Sequence, residues 1–306
     1  MKTIGWAKTW RGSPERKAGS TRRSAIAITI SFLMFASNTG SASAATPKFN
    51  PPKSYYLALG DSVTYGYQAS RIVPGFTADD FDTGYVDEFA TRLRSIQPTL
   101  QVVNYGCPGE SSTTFIGGGC PVALTSFPLH DPFSGSQLDA ALAFLRAHRG
   151  EVSPITITLW GNDVRELLRA CGPDLSCVLS GAPAMIDRLA SNIDSILRRL
   201  RAAAPNAEIV VTGAWDSFVG DFAIADPLFM TMNEAMVDVA ARNGVRFADV
   251  FPIFNPQGDE AAEIAAICTL LLICTDGDSH PSDAGYRVLG EAVFDASGYV
   301  RLLEDV

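Results

Sequence analysis

Histidine is scarce in this 306-residue chain: there are three, His130, His148 and His280. Chemistry that needs an imidazole base therefore has three candidates. The six cysteines show no C-x-x-C spacing, which removes the common zinc-cluster arrangement. No apolar run reaches the roughly 20 residues that a membrane-spanning helix requires. Basic residues are also few: beyond residue 44 there are 17 Lys/Arg against 32 Asp/Glu. So acidic a body gives nucleic-acid phosphates no electrostatic footing. No repeat, charge block or Gly/Ser linker interrupts residues 53–306, and a stretch of that length fits one domain. What is present in quantity is apolar: 47% hydrophobic against 19% charged residues, enough to build a core and too apolar for a disordered chain.

The remaining bases crowd the start, with seven Lys/Arg and one acid in residues 1–44. Positions 2–23 are basic and polar, 24–36 form an apolar run, and small residues follow to Ala42-Ser43-Ala44. That succession reads as a signal peptide over 1–44, which predicts a secreted protein. With about 12 apolar residues the run is short for a membrane anchor. Arg22-Arg23 precedes it, but their flanks match twin-arginine export poorly. Residues 45–52 read as a short polar tail. Every cysteine lies beyond the leader, and an even number in an exported chain favours disulfides. Sequence-local pairs are the economical expectation: Cys107 with Cys120, Cys171 with Cys177, and Cys268 with Cys274.

From residue 53 onward short apolar runs alternate with longer helical patterns. Strands are expected at 55–59, 100–105, 154–160, 207–213 and 245–250. Helices are expected at 84–96, 136–148, 184–204, 229–243 and 282–296, the last with Ser282 as N-cap. Strands joined by crossovers this long imply a parallel sheet covered on both faces, an α/β fold. In such sheets ligands gather at the carboxyl ends of the strands, so the residues after each strand carry the interest.

The first strand runs into Gly60-Asp61-Ser62, which places a serine where a nucleophile can be displayed or a helix capped. The G-x-S-x-G elbow of the larger α/β hydrolases does not occur. A serine hydroxyl needs a base. His148 sits at a helix carboxyl end, where a cation is favoured for other reasons. His130 lies in a Pro-rich loop. His280 follows Asp276-Gly277-Asp278-Ser279, with carboxylates two and four residues upstream that can orient its ring. After the third strand comes Gly161-Asn162-Asp163, whose side-chain amide can donate to an oxyanion. After the second comes Gly106-Cys107-Pro108-Gly109-Glu110, where a glycine amide can do the same. Glu110 and Asp163 read as structural acceptors.

Together, Gly60-Asp61-Ser62, Gly109, Gly161-Asn162-Asp163 and His280-Pro281 resemble the four blocks of the GDSL/SGNH hydrolases. Their order and spacing cover nearly all of 53–306. The resemblance implies a flavodoxin-like three-layer α/β/α sandwich with five parallel strands. It implies Ser62 as nucleophile, His280 as general base and then acid, and an oxyanion hole from the Ser62 amide, the Gly109 amide and the Asn162 side chain. The usual chemistry of the family is ester hydrolysis through an acyl-enzyme, with no metal or cofactor. One departure matters: the family places its Asp three residues before the His, and that position is Gly277. Asp278 is favoured, because related secreted members resemble Asp-x-His-Pro. Asp276 is the alternative, and some members use a backbone carbonyl instead. A calcium loop starting at Asp276 and Asp278 fails at its next alternate position, which is His280.

Substrate is less determined. The segments 107–132 and 214–228 look inserted. Trp215, Phe218, Phe222 and Phe229 either line an acyl pocket or pack on the sheet edge. The apolar stretch 264–274 reads as a buried helix, with an exposed rim for lipids as the sharper alternative. The expectation is a monomeric esterase or lipase acting on small-molecule or lipid esters, with transient contact with lipid surfaces. A carbohydrate acetylesterase is the nearest rival, and a non-catalytic glycan- or surface-binding domain the rival of another class.

Overall fold

The apolar, β-branched runs in the middle of the sheet become strands because they are buried on both faces, while the edge runs are only partly buried. All seven residues of the central strand are buried. The computed structural model describes residues 49–122, 125–220 and 222–303. The expected leader, and all but the last four residues of the expected tail, lie outside the described residues. The strands are β1 (Tyr55–Gly60), β2 (Gln101–Asn104), β3 (Val152–Thr158), β4 (Ile209–Thr212) and β5 (Arg246–Ala248). They form one all-parallel sheet in the order β2-β1-β3-β4-β5. The order reverses between β1 and β3, so the crevice above their carboxyl ends is where a ligand fits such a sheet.

Around the sheet run α1 (Ser62–Tyr65), α2 (Tyr85–Arg94), α3 (Ser112–Gly117), α4 (Gln137–Ala147), α5 (Gly161–Cys171) and α6 (Leu175–Ala203). They are followed by α7 (Phe222–Arg242), α8 (Phe251–Phe254), α9 (Glu260–Leu270), α10 (Ile273–Asp276) and α11 (Asp283–Ser297). Helix α2 packs against α11, while α6 packs against α3, α4, α5 and α7. The result is an α/β fold with helices flanking the sheet. Ser136 caps α4 through the Asp139 N–H, and Ser282 caps α11 through the Gly285 N–H. No helix among the described residues is long and apolar enough to cross a membrane.

Among the longer elements, four depart from expectation. Helix α5 was not anticipated, although Val164, Leu167, Leu168 and Cys171 stand at helical spacing and the first three pack against the core. Helix α6 begins at Leu175 rather than 184 and runs through Pro183. The lost hydrogen bond is tolerated because Val178 and Ala182 are buried ahead of the proline and Cys171–Cys177 anchors the first turn. Helix α7 likewise begins at Phe222 and runs through Pro227, so much of the expected insertion 214–228 is helical. The apolar stretch 264–274 is not a buried helix. Ile267 and Leu271 are buried, while Ile264, Leu270, Leu272 and Ile273 are half-exposed. The three local cysteine pairs are all bonded.

Candidate functional site

The tip of β1 is tightly confined. Gly60 has a positive φ of 141°, and a Cβ there would run into the Thr158 carbonyl of β3. Asp61 then caps α1, its Oδ1 accepting the Val63 N–H at 2.9 Å, and Ser62 becomes the first helical residue. Its N–H opens the helix, where no preceding turn supplies an acceptor.

His280 arrives from the far end of the chain, on the loop between α10 and α11. That loop is pinned to the end of α9. The Leu272 N–H donates to the His280 carbonyl at 3.0 Å, and Leu271 bridges to Pro281. The ring lies tilted against Tyr67, 4.7 Å between centroids. His280 Nε2 stands 2.8 Å from Ser62 Oγ, and Nδ1 stands 2.5 Å from Asp278 Oδ1. Asp278 Oδ2 accepts the Ala69 N–H at 2.8 Å. Burial alone would raise this carboxyl, but the His280 hydrogen bond and charge, together with backbone N–H groups, outweigh it. They hold Asp278 below the ordinary aspartate value. With Asp278 ionised, Nδ1–H donates to it and Nε2 is left to accept from the Ser62 hydroxyl. Asp276 sits in α10, exposed at the rim of the same cleft, with no bond to the ring.

The other two histidines are elsewhere. His130 Nε2 meets the Tyr65 carbonyl at 3.0 Å, and His148 packs on Tyr55 and Phe144.

Asn162 stands in the first turn of α5, and its Nδ2 donates to the Glu110 carbonyl at 2.9 Å. Gly109 is held beside Asn162 through this next residue. The cleft wall includes Ser62, Asn162 and His280 but not Gly109. Each of these segments carries a buried carboxyl: Asp61, Glu110 and Asp163. Asp163 accepts from the Ser112 N–H and hydroxyl at 2.9 and 2.6 Å. Burial pushes Asp61 up to about 7, with the carboxyls of Asp163 and Glu110 adding to it against the Val63 amide. Burial pushes Glu110 up to about 7 as well.

The signal that sequence reasoning missed is Gln137 at the start of α4. It reads there as an ordinary polar residue, yet it is buried and bonded to both peptide groups of Gly60 and to Glu110.

The cleft beside Ser62 has a volume of about 530 Å³. Trp160, Val164, Leu168, Trp215, Phe218 and Phe229 form an apolar wall, and Arg165 and Asp276 sit among the polar lining. Trp160 and Trp215 meet edge to face at 4.8 Å. Thus Trp215 and Phe229 both pack into the core and line the cleft. Among the described residues, the grouping of ligand-type side chains close enough for a metal is Cys107, Cys120 and Glu110. Both of its sulfurs are joined in a disulfide, which leaves no thiolate to bind one.

A cleft at the switch point of a parallel sheet, with a hydroxyl, an imidazole and a carboxylate in series, has the makings of an acyl-transfer centre. Residues 58–288 match the model of the GDSL-like lipase/acylhydrolase family, and the chain belongs to that family. It is a carboxylic ester hydrolase.

Solved structures resemble it in fold. A putative GDSL-like lipase from Parabacteroides merdae has a TM-score of 0.54 at 18% identity, with 82% of this chain and 99% of that one covered. The extracellular lipase of Streptomyces rimosus has a TM-score of 0.52 at 17% identity, with 79% and 99% covered. A catalytic mutant of an acetylxylan esterase from Geobacillus stearothermophilus has a TM-score of 0.50 at 18% identity, with 81% and 96% covered. No curated protein matches the chain.

Proposed function

We propose that the protein is a secreted serine esterase or lipase that hydrolyses carboxylic esters through an acyl-enzyme at Ser62. The observation that carries this reading is the unbroken line Asp278–His280–Ser62, with contacts of 2.5 and 2.8 Å. Ser62 Oγ attacks the ester carbonyl while its proton passes to His280 Nε2, and the carbonyl electron pair becomes an oxyanion. The Ser62 N–H, the Gly109 N–H and Asn162 Nδ2 are the donors to that oxyanion. Collapse expels the alcohol, which takes the proton from His280. Water then gives a proton to His280 and attacks the acyl carbon. The acid departs as Ser62 recovers that proton. Asp278 orients the ring and stabilises its cationic form.

The apolar wall supports an acyl group with a hydrocarbon portion, so lipid acyl esters are favoured over acetylated carbohydrate. Half-exposed Ile273 in the cleft lining, with half-exposed Ile264, Leu270 and Leu272 in the same stretch of chain, supports transient contact with lipid surfaces. The basic-then-apolar leader over 1–44 and the three disulfides support export, with residues 53–306 as one hydrolase domain acting as a monomer.

A fluorophosphonate probe tests the reading. Covalent labelling of the folded wild type, lost in Ser62→Ala, is the expected result. A folded wild type that resists labelling favours a non-catalytic binding domain. Activity confined to acetyl esters across a nitrophenyl ester series, with acetate released from acetylated xylan, favours the carbohydrate acetylesterase.

A further inference from the structure

The three oxyanion donors come from three separate strand tips, and one side chain ties those tips together. Gln137 is buried at the first position of α4 and spends every polar atom on this junction. Its Oε1 accepts the Gly60 N–H at 2.7 Å, and its Nε2 donates to the Gly60 carbonyl at 2.9 Å. The second Nε2 hydrogen goes to Glu110 Oε2 at 3.2 Å. Gly60 presents one donor and one acceptor, so the amide has a single satisfactory orientation.

Gln137 does for Gly60 what a neighbouring strand does elsewhere. The β1–β2 ladder ends at the pairing of Ala58 with Asn104, two residues short of Gly60. On the opposite side Thr158 of β3 confines the same residue. The Gly60 carbonyl also accepts the Cys107 N–H at 3.0 Å, which joins the start of the Gly109 turn to the same point. Glu110 continues the chain of contacts, because its carbonyl receives Asn162 Nδ2. From one amide, bonded contacts therefore lead to the residue two before Ser62, the residue after Gly109, and the side chain of Asn162.

We propose that Gln137 is a positioning residue for the oxyanion hole, fixing the Ser62, Gly109 and Asn162 donors relative to one another through Gly60 and Glu110. The proposal rests on the catalytic reading of those three groups given above. Glu110 is a fitting partner: burial raises its pKa, and its Oε1 is buried without a hydrogen-bond partner among the described residues. It serves Gln137 as an acceptor in either protonation state. Anchorage of α4 is a separate matter, carried by Leu138, Ala141, Leu142 and Leu145 on its apolar face.

The test compares Gln137→Met, Gln137→Glu and a packing control, Leu142→Ala, in the full protein. Gln137→Met keeps the volume and loses all three hydrogen bonds. It is expected to lower kcat by about 10- to 100-fold, the scale of a weakened oxyanion hole, with KM changed by less than about threefold. Inhibition by an alkyl boronic acid, which forms a tetrahedral anion at the nucleophile, should weaken by a similar factor. Leu142→Ala should lower the melting temperature and leave kcat and boronate affinity unchanged. Gln137→Glu supplies a check should the methionine variant fail to fold. A protonated carboxyl restores one donor and one acceptor, so the ratio of variant to wild-type kcat should rise as pH falls.

A Gln137→Met protein that melts earlier but keeps kcat and boronate affinity overturns the proposal, as does a pH-independent ratio for Gln137→Glu. If the wild type is not labelled by fluorophosphonate, or Ser62→Ala keeps full turnover, the catalytic reading is what has failed.

Discussion

Two groups of buried carboxyls stand near the cleft, and they differ in whether the carboxyls meet one another. Beside the proposed oxyanion donors, Asp61, Glu110 and Asp163 each accept hydrogen bonds from neighbouring N–H or O–H groups. Under the apolar wall, Asp216 of the loop after β4, Asp226 of α7 and Glu263 of α9 face one another. Asp226 lies within hydrogen-bonding reach of both of the others. Asp216 Oδ2 and Asp226 Oδ1 are buried with no donor among the described residues. A carboxyl supplied with donors is a fixed acceptor that shapes its surroundings. Asp216, Asp226 and Glu263 each accept one donor as well, from the Phe218 N–H, Gln257 Nε2 and Asn255 Nδ2, but they also meet one another. Carboxyls in mutual contact hold together by sharing protons, and so answer to pH. The first arrangement suits the atoms that set the chemistry, and the second stands beside a wall that shapes the pocket.

The largest effect expected on the catalytic side is from His280→Ala, which should lower kcat/KM by about 1,000-fold or more, while His148→Ala stays near wild type. Steady-state hydrolysis of a short nitrophenyl ester measures both, and similar losses would erase the contrast. Next comes Asp278→Ala, expected to cost about 10- to 1,000-fold in kcat against less than about threefold for Asp276→Ala. The reverse ranking would transfer the orienting role to Asp276. On the wall, Phe218→Ala should leave kcat for acetyl esters intact and raise KM for longer acyl chains by about 3- to 10-fold, as loss of a partly exposed apolar contact would. A uniform loss over a chain-length series would mean that the wall does not read acyl length.

The smallest effects concern stability. Burial, with the Asp226 and Glu263 carboxyls adding to it, outweighs the Phe218 amide and pushes Asp216 up to about 7. A carboxyl whose folded pKa exceeds its unfolded one binds its proton more tightly when folded. Its contribution to stability is therefore complete below the ordinary aspartate range and is lost as pH rises through about 7. Asp226→Asn provides Asp216 with an amide donor. It should flatten the decline in melting temperature between pH 4 and about 8, with a gain of about 2–4 °C at the alkaline end. An unchanged slope in a thermal scan would show that the three carboxyls are not coupled in this way. Reduction of the disulfides should lower the melting temperature at all pH values by an amount set by a few kcal/mol.

Legibility followed sequence distance. Ser62 is readable because it follows a five-residue apolar strand directly, and His280 because it stands between two carboxyls and a proline just ahead of a capped helix. The residues alone left Asp276 and Asp278 open, since both lie just upstream of the histidine, and the family resemblance was what favoured Asp278. The bend of the loop brings Asp278 to Nδ1, and Asp276 is carried off at the end of α10. Gln137 was invisible because its partners are 77 and 27 residues away, and nothing in an amphipathic helix marks a glutamine as half of a peptide pair. Helix α5 was legible in the spacing of Val164, Leu167, Leu168 and Cys171, whereas the early turns of α6 and α7 were hidden because a proline inside a helix reads as a stop.

By itself, the order of residues determined the alternation of strand and helix, the parallel sheet that alternation requires, and the strand ends at which Ser62, Gly109 and Asn162 stand. These follow from burial periodicity and the handed geometry of crossovers, which are local in sequence. Tertiary structure alone decided which carboxylate meets His280, which amide braces Gly60, and that Asp216, Asp226 and Glu263 stand together. Each of those depends on where a side chain from one element comes to rest against the backbone or side chain of another. That is a question of close packing, and no periodicity along the chain encodes it.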